Sequence, residues 1–130
     1  MRVLRDCRLS FVLLLVLAGI VGGCASAKFI PTTAPYPPKP EHCDIEVFTS
    51  RNPDRPYKEI GIIEGEGIIG ADSLEDVLPE MIKAACKAGG DGLILTGSQR
   101  TVDVSGGDNW ISSSDELHTQ ATVIVWEDEE

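Results

Sequence analysis

Positive charge is scarce in this sequence. Lys and Arg number 11 against 21 Asp and Glu, a net charge of -10. Such a chain repels phosphate backbones, so no nucleic acid is expected among its partners. Catalytic and cofactor signatures are also missing. No G-x-S-x-G frames a serine as an esterase nucleophile, and the carboxylates fall mostly in turns and at the tail, where solvated charge is the plain reading. The glycine-rich stretch G-E-G-I-I-G (65–70) has no helix directly behind it and no Lys-Ser/Thr, so it is not a phosphate loop. No C-x-x-C or H-x-x-x-H spacing occurs, which argues against a thiol oxidoreductase and against a tight metal site. No enzyme activity and no cofactor are expected.

Long apolar runs are absent too. The longest, Leu9 to Val21, is broken only by Ser10 and Gly19 and falls short of the ~20 residues that span a bilayer. It follows a short segment carrying Arg2, Arg5 and Arg8, and it ends in Gly22-Gly23-Cys24. A charged start, an apolar stretch and a small-residue site make a secretory signal, expected over 1–23.

Val21-Gly22-Gly23-Cys24 resembles the processing site of a bacterial lipoprotein. The resemblance implies cleavage before Cys24 and acylation of its sulfur, with diacylglyceryl and palmitoyl chains holding the protein on a membrane. Ala25 stands where enterobacterial lipoproteins kept in the inner membrane usually carry Asp. The implied location is therefore the outer membrane, with the domain facing the periplasm. Loss of residues 1–23 removes three Arg and one Asp and leaves a net charge of -12, so attachment would rest on lipid rather than on a basic patch.

Residues 24–41 hold the lipidated cysteine and five of the eight prolines. Proline fixes φ and removes backbone donors, so this segment is expected to be an extended, semi-rigid tether. A single α+β domain is expected over 42–130. Cys43 to Thr49 alternates polar and apolar as a half-buried strand does, Ser50 to Pro56 is turn chemistry, and Tyr57 to Glu64 reads as the second strand of a hairpin. A helix follows, with Leu74, Leu78, Met81, Ile82 and Ala85 on one face and Gly89-Gly90 at its end. Pro79 is compatible with that helix if Asp76 caps it and Ser73 to Glu75 lead in. Leu93 to Leu95 and Gln120 to Trp126 supply two more strands, and Ser98 to Thr119 reads as a long polar connection with Trp110 in its middle, Arg100 to Val104 being able to lengthen the strand before it. The expected architecture is a two-layer β-β-α-β-β domain, one helix on a small, mainly antiparallel sheet. Trp110, an aromatic in a polar loop, is the candidate partner contact, the other reading being that it folds back on the core.

Two cysteines remain once Cys7 and Cys24 are set aside. In an oxidising compartment Cys43 and Cys86 are expected to pair. A simple β-β-α layout places them at opposite ends of the sheet, so the bond needs a skewed helix or another strand order. The rival reading is a metal-responsive module at Glu41-His42-Cys43-Asp44, with His118 elsewhere. Against it, adjacent residues of an extended chain point to opposite sides.

Tyr57-Lys58-Glu59-Ile60-Gly61, the helix, and Ala84-Ala85-Cys86-Lys87-Ala88-Gly89-Gly90-Asp91-Gly92-Leu93-Ile94 are together similar to the YbjQ/RcsF-like group of small α+β domains. The resemblance spans about Asp44 to Gly97 and its motifs are structural. It implies that Gly61 lets helix and strand approach and that Gly89-Gly90 turns the chain. By analogy it also implies a lipid-anchored binding or sensing module with an envelope protein partner, extending to envelope-stress signalling. The signalling member of the group carries four domain cysteines where this chain has two. A passive structural lipoprotein is the remaining reading.

Overall fold

The computed structural model describes residues 24–68 and 73–127. The expected signal segment and the acidic residues 128–130 lie outside the described residues. The fold is α+β and mostly sheet. Its strands are β1 (Cys24–Pro31), β2 (Glu46–Phe48), β3 (Tyr57–Ile68), β4 (Gly92–Gly107) and β5 (Trp110–Trp126), and its helix, α1 (Leu74–Lys87), lies between β3 and β4. The sheet order is β1-β3-β5-β4-β2. All pairings are antiparallel except β2 with β4, which is parallel.

The described order is thus β-β-β-α-β-β, and it departs from the expected β-β-α-β-β order in three places. First, the segment expected as a tether over 24–41 begins as an edge strand. Ala25, Ala27 and Phe29 alternate with exposed neighbours and pack against the core, while the backbone pairs with β3 from Cys24↔Ile68 to Pro31↔Gly61. Second, β2 and β3 do not form a hairpin. β2 sits at the opposite edge, beside β4, so the chain crosses the full width of the sheet between β1 and β2. Third, the expected polar connection over 98–119 is a long hairpin, β4 and β5 meeting at Gly107↔Trp110 around Asp108-Asn109. Asp and Asn suit so tight a turn because both tolerate left-handed backbone.

Helix α1 starts one turn earlier than Asp76. Ser73 is the N-cap, and its backbone N–H donates to the Asp76 carboxylate at 3.3 Å. Pro79 therefore stands inside the helix. An interior proline costs about 3 kcal/mol in the general case, and burial of the opposite face offsets it here. The buried seam is Val77, Met81, Ala85 and Cys86, rotated from the expected stripe, with Leu74 and Leu78 only half-buried. Ile60, Ile63, Leu93, Leu117, Ala121 and Val123 meet the helix from the sheet. Burying an aliphatic side chain of this size stabilises by about 1.5–3 kcal/mol.

Two glycines set the helix against the sheet. A β-carbon at Gly65 would lie 2.5 Å from Val77 Cγ1 and 2.8 Å from Met81 Sδ, so this is where helix and strand approach. Gly61, which the resemblance assigned that role, lies instead under the Phe29 ring of β1. Gly89 turns the chain out of the helix as expected, with φ of +81°. Gly65→Ala is expected to lower stability by about 1–3 kcal/mol in thermal denaturation, the range for overpacking a filled core. Gly97→Ala, where nothing lies within 4 Å of the added carbon, should leave the melting temperature almost unchanged.

Candidate functional site

The two ends of the sheet carry different chemistry. At one end lies the crossing segment between β1 and β2. It is fastened to the domain along its length. The Thr32 N–H donates to Ile60 O at 3.0 Å, the Lys39 N–H donates to Cys86 O at 2.8 Å, and Tyr36 packs against the core. The Lys39 ammonium donates to Gly90 O at 3.0 Å and pairs with the Asp91 carboxylate. The other Asp91 oxygen accepts the Trp126 N–H at 2.9 Å. One carboxylate thus ties the crossing segment, the helix-to-strand turn and the end of β5. Burial pushes the Asp91 carboxyl up, but the Lys39 ammonium, the Trp126 amide and nearby Arg55 outweigh it and hold it below the usual aspartate range. Glu41 and Lys83 form an exposed pair at 2.7 Å, which lowers the Glu41 carboxyl and raises the Lys83 amine.

The crossing ends at the disulfide. Cys43 and Cys86 are bonded, with Cα atoms 5.8 Å apart. The geometric objection to this pair is met by strand order: β2 pairs parallel with β4, so its start lies beside Gly92, at the end of the sheet that the helix reaches. The bond also removes the Cys43 sulfur from any thiolate ligand set. His42 is exposed beside it. His118 stands on β5 between Glu66 (Nδ1 to Oε1, 3.6 Å) and Glu116 (Nε2 to Oε2, 3.4 Å), so the structure does not bring the two histidines together. Among the described residues, no group of three or more His, Cys, Asp or Glu is placed to hold a metal ion.

Between β1, the crossing segment and the C-terminal half of α1 runs a half-open groove of about 420 Å³, lined by Ala27, Phe29, Pro35, Tyr36, Ile60 and Ala84. Its walls are mostly carbon. The sequence does not signal this groove, because the prolines of 24–41 read as a tether free of the domain.

Cys24 lies at the other end of the sheet, exposed and unbonded, paired through the backbone with Ile68. Among the described residues, the β4–β5 hairpin is what continues beyond that level. Trp110 opens β5 at the hairpin's closed end, and its side chain lies outside the described residues. Val102, Val104 and Ile111 are exposed at 54%, 68% and 82%. The apolar signal of this hairpin was legible as the alternation of Val102 and Val104, but the surrounding Ser, Gly and Asp concealed it.

Two outcomes follow from the crossing segment. Replacing both Cys43 and Cys86 by Ser should cost about 3–4 kcal/mol, the range for closing a loop of some forty residues, read by denaturant unfolding. Because the Asp91 carboxyl is depressed in the fold, its stabilising effect is full above the ordinary aspartate range and is lost as pH falls through the folded value. Asp91→Asn should therefore lower stability at neutral pH and flatten the acid limb of the stability–pH curve.

No protein-family model matches the chain, and no curated protein matches it. Among solved structures it is similar to the crystal structure of FvfA, a Francisella virulence factor, at 17% identity over 75% of this chain and 97% of that one, with a TM-score of 0.44.

Proposed function

We propose that this chain is a lipid-anchored outer-membrane lipoprotein whose α+β domain faces the periplasm and binds or senses an envelope protein, rather than acting as an enzyme. The observation that carries the reading is Val21-Gly22-Gly23-Cys24 directly behind a charged start and an apolar stretch. Three features support it. Cys24 is exposed and unbonded, as an acylated sulfur requires. The remaining described cysteines form a disulfide, which suits an oxidising compartment. The similarity of 44–97 to the YbjQ/RcsF-like group agrees with an envelope role and extends it, by analogy, to stress signalling. The metal-responsive alternative loses its soft ligand because the Cys43 sulfur is bonded to Cys86.

The test is intact mass of protein extracted from native membranes, alkylated with and without reduction. Acyl mass on a chain beginning at Cys24, with Cys43 and Cys86 alkylated only after reduction, supports the reading. A full-length, unacylated chain overturns it. Cys24→Ser should move the protein from the membrane to the soluble fraction while leaving its melting temperature unchanged, since this residue is exposed at a strand end. Trp110→Ala should leave stability nearly unchanged and weaken capture of the partner, read by in-cell crosslinking.

A further inference from the structure

We infer that the β4–β5 hairpin is a lipid-contacting arm that lays its apolar face on the same bilayer that holds the Cys24 acyl chains. This rests on the proposal that Cys24 is acylated. The register fixes the geometry. Cys24 pairs with Ile68, Ile68 pairs with Glu116, and Glu116 pairs with Thr101. These four residues mark one level across the sheet. Beyond it β4 and β5 continue for six more pairs, from Val102↔Asp115 to Gly107↔Trp110. At about 3.4 Å per residue the arm reaches roughly 20 Å past the attachment point, in the direction in which β1 begins.

No slack separates the anchor from the sheet, because Cys24 is itself a paired strand residue. A bilayer that holds acyl chains on its sulfur therefore lies within reach of the arm, and the arm's own side chains decide whether it settles there. The arm's chemistry fits that encounter. Opposite residues of an antiparallel pair share a face, so Val102, Val104 and Ile111 lie on one side of the hairpin, in line with buried Leu117. Helix α1 covers the sheet around Gly65 but does not cover this stretch, and the three side chains are more than half exposed. Such a stripe on an otherwise strongly acidic surface has lipid as a natural cover. Asp103 lies on the other face, Asp108 is at the turn, and Asp115, paired with Val102, stands exposed on the same face as the stripe, at its inner end. These charges favour a zwitterionic surface over an anionic one.

The test uses a chain beginning at Cys24, which contains every described residue. It is methyl-labelled at Ile and Val, and coupled through the Cys24 thiol to a maleimide lipid in phosphatidylcholine nanodiscs carrying a spin-labelled lipid. The methyl signals of Val102, Val104 and Ile111 should lose most of their intensity. Those of Ile30, at the far end of β1, should keep theirs. Ile111→Asp, a change at an exposed position that leaves the core intact, should restore the Val102 and Val104 signals, and replacing part of the lipid by phosphatidylglycerol should do so partly. Hairpin signals as strong as that of Ile30 overturn the inference. Broadening that survives Ile111→Asp also overturns it, because the arm would then be near lipid only through the tether. Since the coupling is chemical, these results are independent of whether the native chain carries lipid, which the intact mass decides separately.

Discussion

The structure depends on one crossing. β1 and β2 occupy opposite edges of the sheet, yet they are consecutive in the chain. The residues between them must therefore pass the end of the sheet where α1 turns into β4. Prolines suit that path: they lack donors that would otherwise need partners, and they resist folding into local structure. Polar groups of the segment are fastened to the domain, Lys39 through both its amide and its ammonium. The crossing also explains why Gly89 cannot be replaced freely. Its left-handed backbone lets the chain turn while the Pro37 carbonyl passes 2.5 Å from where a β-carbon would stand.

From this crossing follow both the disulfide and the position of Cys24. Sending β2 to the far edge places Cys43 beside the C-terminal turn of α1, where Cys86 is buried. Keeping β1 at the near edge places Cys24 at the other end of the sheet. The crossing segment is thus fastened at the end away from Cys24.

How much of this was legible depended on how strongly each segment buries one face. The strands 57–64 and 120–126 and the helix were clear because their apolar residues repeat at the right period and meet a core. The helix start was misplaced because Pro79 argued for a later cap, while the packing of Val77 and Met81 outweighs a missing N–H. β1 was read as linker because its inward residues include two alanines, whose small side chains give little contrast with Ser26 and Lys28, and because prolines follow. Beyond the strand extension that 100–104 allows, the hairpin reads as loop because most of it is exposed on both faces, which removes the alternation that marks a half-buried strand. The disulfide was expected from compartment and count, but its geometry required a strand order that local pattern does not encode.

The hairpin carries a further physical point. A two-stranded ribbon projecting into water is marginal by itself, because nothing buries its side chains. This one survives as a continuation of β4 and β5, whose inner halves are held by Leu93, Ala121 and Val123. The stability of the domain therefore supports an arm that does nothing for the core in return. Val102, Val104 and Ile111 face solvent at positions where polar residues would satisfy the fold equally well. Side chains that folding does not require, on an arm that folding merely tolerates, are best explained by something outside the domain that covers them. The arm extends past the end of the sheet at which Cys24 begins β1, so on the reading proposed above that cover is the bilayer.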